Sequence, residues 1–200
     1  SMTALSHGKE VMDFLNTNWF PEDNYVKINH QPVLLSWGPI YFKTNGDWET
    51  MLADVDPAPL LFTLDNKKFS LATGAYPWPP MHLSKNGILN SADLNLYLIQ
   101  FYQKSLSWDY LVATAFPGFH DIYEEAGLHD SYGYLDREDG ATFENTLATA
   151  MNYDPAILQV ATWNDYGEGT IIEPTVELGY QNLEQILRFR KEHIDTTFQT

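Results

Sequence analysis

The chain of 200 residues contains no cysteine. This absence excludes disulfide bonds, thiolate metal ligands and a cysteine nucleophile from its chemistry. The six histidines are scattered and show no H-E-x-x-H or comparable ligand spacing, so we expect no metal site. We also expect no cofactor and no serine nucleophile, because the sequence has no G-x-G-x-x-G, Walker A or G-x-S-x-G pattern.

Basic residues are few, since 11 Lys and Arg stand against 27 Asp and Glu and give a formal net charge of −16. A groove that neutralises phosphates needs clustered Lys and Arg, so we expect no nucleic-acid partner. A neutral or cationic ligand is easier to accommodate. No apolar run approaches the roughly 20 residues of a membrane span, and the first ten residues lack the apolar core of a signal peptide.

Short apolar runs bounded by turn residues alternate with segments of helical periodicity. The predicted strands are 32–37, 59–64, 70–76, 108–115 and 156–163, and the predicted helices are 8–17, 46–55, 91–105, 141–151 and 175–195. This alternation indicates an α/β fold with a parallel sheet covered by helices. With 44% hydrophobic residues, residues 1–200 are expected to form a single domain. The polar segment 120–141 is long for a connection, and such loops are often functional.

Aromatic, amide and acidic residues follow the ends of these predicted strands, where parallel α/β folds bind ligands. In chain order they are Trp37, Asp65, Tyr76, Trp78, His120, Trp163, Asn164, Asp165, Tyr166 and Glu168. An aromatic ring can cover the C–H face of a pyranose, but core packing explains each Trp or Tyr equally well. Asp65 can bond sugar hydroxyls or close a turn. His120 can position a ligand together with Asp121, or it can be an ordinary loop residue.

The segment 161–174, ATWNDYGEGTIIEP, places two acids and two glycines directly after a predicted strand. Paired carboxylates suit glycoside hydrolysis, because one donates a proton to the leaving oxygen while the other acts as nucleophile or base. Like charge and partial burial can push the pKa values of such a pair apart. The glycines allow a sharp turn and a close approach of the backbone to a substrate. The alternative interpretation is an ordinary acidic turn, since D-x-x-E spacing is a weak signal.

The sequence WNDYGEGTIIEP resembles the signature of glycoside hydrolase families 71 and 99. Residues 163–168 are similar to the family 71 form, whereas residues 169–170 and 172–174 are closer to family 99. Two shorter elements support the resemblance. Residues 116–119 resemble a Pro-Gly-aromatic element after a barrel strand, and residues 137–143 resemble an Arg…Gly-x-Thr-aromatic element before the penultimate helix.

The resemblance implies a (β/α)8 barrel of the TIM type, with Glu168 as general acid/base and Asp165 as its partner. Family 71 cleaves α-1,3-glucan and family 99 cleaves internal α-mannosides, so the implied substrate is an α-linked polysaccharide or oligosaccharide. In family 99 the first carboxylate belongs to a Glu that assists through the substrate 2-hydroxyl. Asp165 is one methylene shorter, a departure that favours the family 71 form.

A (β/α)8 barrel needs about 250 residues, and the chain offers about five strands. It is therefore expected to be the C-terminal part of a barrel, whose open sheet edges a preceding segment or a second copy of the chain would cover. For the full-length protein, the resemblance implies a secreted or periplasmic location. The main hypothesis is a glycosidase. The alternatives are a non-catalytic carbohydrate-binding protein of the same fold and a different barrel hydrolase in which the motif is structural.

Overall fold

The computed structural model describes residues 3–38 and 41–198. The chain divides into two compact units, one of Ser1–Tyr76 with Ser107–Leu111 and one of Pro77–Leu106 with Val112–Thr200. We call them the first and the second unit. Within the described ranges, no helix is both long enough and apolar enough to cross a lipid bilayer.

The first unit combines two helices with a mostly parallel sheet. Its elements are α1 (Ala4–Asn18), β1 (Lys27–Ile28), β2 (Gln31–Ser36), α2 (Asn45–Leu52), β3 (Leu60–Leu64) and β4 (Gly74–Tyr76). The sheet order is β1-β2-β3-β4, and β2, β3 and β4 pair in parallel, while β1 pairs antiparallel with β2. Parallel pairing brings the carboxyl ends of β2, β3 and β4 to one edge of this sheet.

The helices of the first unit begin at capping boxes and pack on an aromatic core. Thr3 and Thr44 each accept a hydrogen bond from the backbone three residues further on, and the residue there bonds back to the cap. Trp48 and Leu61 lie in the buried cluster that α1, α2 and β3 share. A Cβ at Gly8 would lie 2.5 Å from Met51 Sδ, so glycine permits close packing of α1 against α2.

Among its described residues, the second unit contains three α-helices and two small sheets. Its elements are α3 (Ser91–Ser105), β5 (Val112–Ala115), β6 (Phe119–His120), β7 (Tyr134–Leu135), α4 (Ala141–Met151), β8 (Ile157–Val160) and α5 (Gln181–His193). β5 pairs in parallel with β8, and β6 pairs antiparallel with β7. Phe143 and Leu147 of α4 pack on Ala115 and Ile172, with Leu183 of α5 at the border of this core.

The predicted α/β architecture is confirmed in type, because β2–β3–β4 and β5–β8 pair in parallel among the described residues. Several boundaries were wrong. The predicted strand 70–76 is reduced to Gly74–Tyr76, because Ala72 N donates to Phe69 O in a turn. The predicted strand 108–115 begins at Val112.

The last helix of the structure is shorter than the predicted helix 175–195. It begins at Gln181, because the preceding residues form a turn in which Leu178 N donates to Thr175 Oγ1 and Gly179 has φ of 56°. The polar segment 120–141 contains structure that periodicity did not reveal. β7 lies within this segment and pairs with β6 at its start, and a short 3₁₀ turn, Glu138–Gly140, lies near its end.

Candidate active site

The candidate site lies in the second unit, where β5 and β8 end side by side. Their register pairs Ala115 with Val160, and Ala161 N donates to Ala115 O over 3.0 Å. The segments that follow the two strands therefore leave the sheet at the same level. This is the edge at which parallel α/β folds bind ligands.

Main-chain hydrogen bonds join these two segments. His120 N donates to Glu168 O over 2.9 Å, and Ile122 N donates to Gly167 O over 3.0 Å. Gly169 has φ of 64°, and a Cβ there would lie 2.8 Å from His120 O. The lack of a side chain at Gly169 therefore lets the two loops meet, and a close approach of the backbone to a substrate stays a prediction.

The turn that carries the two acids is closed by its own polar groups. Thr162 Oγ1 accepts from Asp165 N over 3.1 Å, and Asp165 Oδ1 accepts from Glu168 N over 3.0 Å. The hydroxyls of Thr162 and Thr170 bond across the base of the turn at 2.9 Å. Asp165 therefore shapes the turn, as the interpretation of an ordinary acidic turn requires. This structural role is compatible with a catalytic role for the same carboxyl, which stays a prediction.

Arg137 anchors the same turn from the side. Its Nη2 donates to Gly169 O over 2.7 Å and to Ile171 O over 3.1 Å. Arg137 therefore anchors the turn through backbone carbonyls. Burial lowers the pKa of the Arg137 guanidinium, but a guanidinium remains charged at neutral pH.

Glu168 is half-buried, and Tyr123 Oη donates a hydrogen bond to its Oε1 over 3.1 Å. Burial raises the pKa of the Glu168 carboxyl, and the charges of Asp165 and Asp121 add to this increase. Hydrogen bonding to Tyr123 and Trp78 opposes the increase without cancelling it. A carboxyl with a raised pKa keeps its proton to higher pH, which is the property a general acid requires.

Tyr123 is the functional candidate that the sequence missed. Burial and then the charge of Glu168 raise the pKa of Tyr123 to about 12, so its hydroxyl keeps its proton and remains a hydrogen-bond donor over the whole neutral range. No periodicity marks Tyr123, and it lies 45 residues from Glu168 along the chain. The signal that pointed towards it was the unusual length of the polar segment 120–141.

Asp121 organises the loop that carries Tyr123. Its side chain is 5% exposed. It accepts hydrogen bonds from Tyr132 N at 2.7 Å, Ser131 Oγ at 3.1 Å and Tyr123 N at 3.2 Å. A buried carboxylate is stable in a fold when such donors compensate its desolvation. Asp121 thus ties the two ends of the loop to the end of β6.

Four further predicted residues of the second unit lie on the two segments that follow β5 and β8. Trp163 and Tyr166 are 51% and 52% exposed, and Tyr166 Oη donates to Glu173 over 2.8 Å. Asn164 is exposed beside them. The exposed His120 ring packs edge to face on Tyr134 with centroids 5.2 Å apart. The structure therefore brings the aromatic and acidic residues of β5 and β8 into one region, where their sugar-binding roles remain predictions.

Three predicted site residues, Trp37, Asp65 and Tyr76, lie in the first unit. Trp37 is 56% exposed and lines a largely apolar cavity of about 400 Å³. Of the two alternatives for Tyr76, core packing applies, since it is 3% exposed and its hydroxyl donates to Ser36 O over 3.0 Å. Asp65 has φ of 63° and its N donates to Tyr76 O, as expected of a residue that closes a turn.

No cluster of three or more His, Asp or Glu side chains suited to a metal ion occurs in residues 3–38 and 41–198. The candidate chemistry of the second unit is built from carboxyl and phenol groups. Its centre is a half-buried acid with a raised pKa, a second carboxylate in the same turn and a phenol donor, all at the carboxyl ends of parallel strands.

Comparison with solved structures relates this fold to glycoside hydrolases. A family 99 endo-α-mannosidase from Bacteroides thetaiotaomicron, in complex with bis-tris propane, matches with a TM-score of 0.70 and 14% identity over 95% of this chain and 67% of that chain. A second structure of that type from the same organism matches with a TM-score of 0.70 and 16% identity, over 96% and 64%. A glycoside hydrolase-like protein matches with a TM-score of 0.61 and 14% identity, over 94% and 60%.

The chain therefore has a glycoside hydrolase-like fold. It spans 60–67% of the length of these three structures. The α/β elements and partial sheets of the two units agree with the expectation of part of a barrel. No protein-family model matches the sequence, and no curated protein matches it either.

Proposed function

We propose that the protein is a glycoside hydrolase acting on an α-linked polysaccharide, an α-glucan or an α-mannan, with Glu168 as acid/base and Asp165 as its partner. The observation that carries the proposal is the raised pKa of the half-buried Glu168 carboxyl at the end of β8. The glycoside hydrolase-like fold supports it. We further propose that the strands belong to a (β/α)8 barrel, and that a polysaccharide substrate places the full-length protein outside the cytoplasm.

Each group has a defined task in this proposal. The proton of the Glu168 carboxyl passes to the glycosidic oxygen as the bond from that oxygen to the anomeric carbon breaks. The Asp165 carboxylate accepts a proton from the attacking oxygen, which belongs either to water or to a substrate hydroxyl. Tyr123 donates to Glu168 Oε1 and so fixes the orientation of the carboxyl.

A specific observation supports the alternative of a non-catalytic carbohydrate-binding protein. Asp165 Oδ1 accepts a hydrogen bond from Glu168 N, which is a turn-forming role that an inactive relative would retain. The exposed rings of Trp163 and Tyr166 are as suitable for binding as for catalysis. Binding of an α-linked oligosaccharide without release of shorter products would favour this alternative.

The decisive experiment is Glu168→Gln assayed with α-1,3-gluco-oligosaccharides and α-manno-oligosaccharides. We expect kcat/KM to fall by roughly 10²–10⁴, because the proton donor is lost. Oligosaccharide binding should persist, since the amide keeps the size of the carboxyl. Glu49→Gln is the matched control, because Glu49 is an exposed residue of α2 in the first unit. Hydrolysis that survives Glu168→Gln would contradict the assignment.

A further inference from the structure

The loop from Asp121 to Tyr132 carries a cluster of three rings beside Glu168. Tyr123 and His129 lie 4.6 Å apart between ring centroids, His129 and Tyr132 lie 4.8 Å apart, and Tyr123 and Tyr132 meet edge to face at 5.5 Å. Tyr123 also bonds Glu168, so the cluster begins at the candidate acid itself. We call these three residues the loop aromatic cluster.

The loop aromatic cluster is not a small hydrophobic core. Tyr132 is 51% exposed, His129 is exposed, and Leu128 beside them is 69% exposed. Rings that served packing alone would be buried, since burial is what makes an aromatic side chain stabilise a fold. Contiguous exposed apolar surface on a protein is typical of a binding site.

The position of the rings is fixed rather than loose. Asp121 is 5% exposed and accepts hydrogen bonds from the backbone of both Tyr123 and Tyr132. Gly133 N donates to Ser131 Oγ, and Ser131 Oγ donates to Asp121. A preorganised ring loses little conformational freedom when a ligand stacks on it, so more of the contact energy is available for binding.

The charges around the cluster restrict the ligand. Arg137 is the single Lys or Arg in the sequence between Lys104 and Arg188, and its guanidinium is bound to the carbonyls of Gly169 and Ile171. Acidic residues, in contrast, recur along the loop and its neighbours: Asp121, Glu124, Glu125, Asp130, Asp165 and Glu168. Lys85 follows Ser84, whose hydroxyl donates to Tyr132 O over 3.2 Å, and its ammonium pairs with Asp93 over 2.7 Å. An anionic sugar would meet repulsion from the carboxylates, while Arg137 and Lys85 already bind protein groups.

We propose that the loop aromatic cluster is a sugar-binding subsite adjacent to the cleavage point, that Tyr132 supplies its stacking surface, and that it accepts neutral but not anionic pyranose units. The subsite rests on the proposed glycosidase function for its position next to the acid. The ring faces supply contact with the C–H face of the sugar, and the flanking carboxylates accept hydrogen bonds from its hydroxyls.

The test uses calorimetry with an α-1,3-gluco-oligosaccharide, an α-manno-oligosaccharide and an oligogalacturonide of equal length. We expect at least one neutral oligosaccharide to bind and the anionic one to bind at least about tenfold more weakly. Tyr132→Ala should weaken the neutral ligand by about tenfold, and Tyr132→Phe should change it by less than about twofold, because the ring is retained. Equal binding of the anionic oligosaccharide would overturn the specificity.

Tyr180→Ala is the matched control, since Tyr180 is a 67% exposed tyrosine of the second unit outside the loop. The Tyr180→Ala variant should bind the neutral oligosaccharide with the same affinity as the wild type. The melting curve of Tyr132→Ala should show that the fold of this variant is intact. Unchanged affinity in Tyr132→Ala overturns the subsite while the glycosidase proposal stands. If Tyr132→Ala weakens binding but the wild-type protein never hydrolyses the bound ligand, the subsite stands and the glycosidase proposal is overturned. Failure of every neutral oligosaccharide to bind overturns both.

Discussion

The two units both place aromatic and acidic residues after parallel strands, yet they use them differently. In the first unit, the Tyr76 hydroxyl donates to a strand carbonyl, and Asp65 sits in a turn whose N–H donates to Tyr76 O. In the second unit, Asp165 and Glu168 occupy one turn, and a phenol from another loop reaches the second acid. The same residue types thus complete a core in one unit and assemble an acid site in the other.

The comparison also shows how burial acts on different groups. Burial and the charge of Asp65 raise the pKa of Tyr76 to about 12, which leaves a phenol neutral as it already was. Burial and the charge of Asp165 raise the pKa of Glu168 above that of an ordinary carboxyl, which is ionised at neutral pH. The same physical cause therefore leaves the phenol of the first unit neutral as before, whereas it extends the pH range in which the carboxyl of the second unit is protonated.

The largest expected effect comes from the glycine that joins the two loops of the site. Gly169→Ala should lower the free energy of unfolding by about 2–4 kcal/mol, because its φ of 64° and a contact of 2.8 Å with His120 O both oppose a Cβ. Gly179→Ala is the control. Gly179 has φ of 56° but no atom within 4 Å of the added Cβ, so we expect a loss of about 1 kcal/mol.

Chemical denaturation of the two alanine variants measures the difference, and oligosaccharide hydrolysis should fall with Gly169→Ala alone. Equal losses in the two variants would show that backbone conformation, rather than the contact between the loops, determines the requirement for glycine.

A second prediction concerns the phenol. Tyr123→Phe removes a hydrogen bond that favours the ionised form of Glu168, so the pKa of this carboxyl should rise further. Activity needs the protonated acid, and the alkaline limb of the kcat/KM profile should therefore move to higher pH.

Tyr25→Phe is the control for this prediction, because Tyr25 Oη donates to the backbone oxygen Val33 O over 2.9 Å in the first unit. We expect that variant to lose about 1 kcal/mol of stability with an unchanged pH profile. An alkaline limb that stays in place in Tyr123→Phe would show that the phenol does not influence the acid.

The smallest effect is on stability. A carboxyl whose folded-state pKa is raised binds its proton more tightly in the folded than in the unfolded state, so stability falls as pH rises through the interval between the two values. Glu168→Gln removes this penalty and should raise Tm by about 2 °C at neutral pH. The gain should vanish as pH falls below the unfolded-state pKa of the carboxyl. Thermal melts at several pH values measure it, and a gain independent of pH would have a cause other than ionisation.

The sequence predicted the α/β type and most elements, because short apolar runs and helical periodicity follow from burial on one face. It overextended the last helix, since Thr175 and Gly179 close a turn where the apolar spacing continues. It could propose Asp165 and Glu168 as a pair because both lie in one local motif, and their catalytic roles stay a prediction. It could not find Tyr123, because a contact across 45 residues depends on how two strands pair.

The anchoring of the 121–132 loop has a consequence for protein engineering and for divergence. Asp121 fixes both ends of the loop, whereas Gly127 at its tip has φ of 68° and no atom within 4 Å of an added Cβ. An insertion at Gly127 is therefore expected to leave the hydrogen bonds of Asp121 to Tyr123 and Tyr132 in place. The loop can then vary in length at its tip while Tyr123 still bonds Glu168.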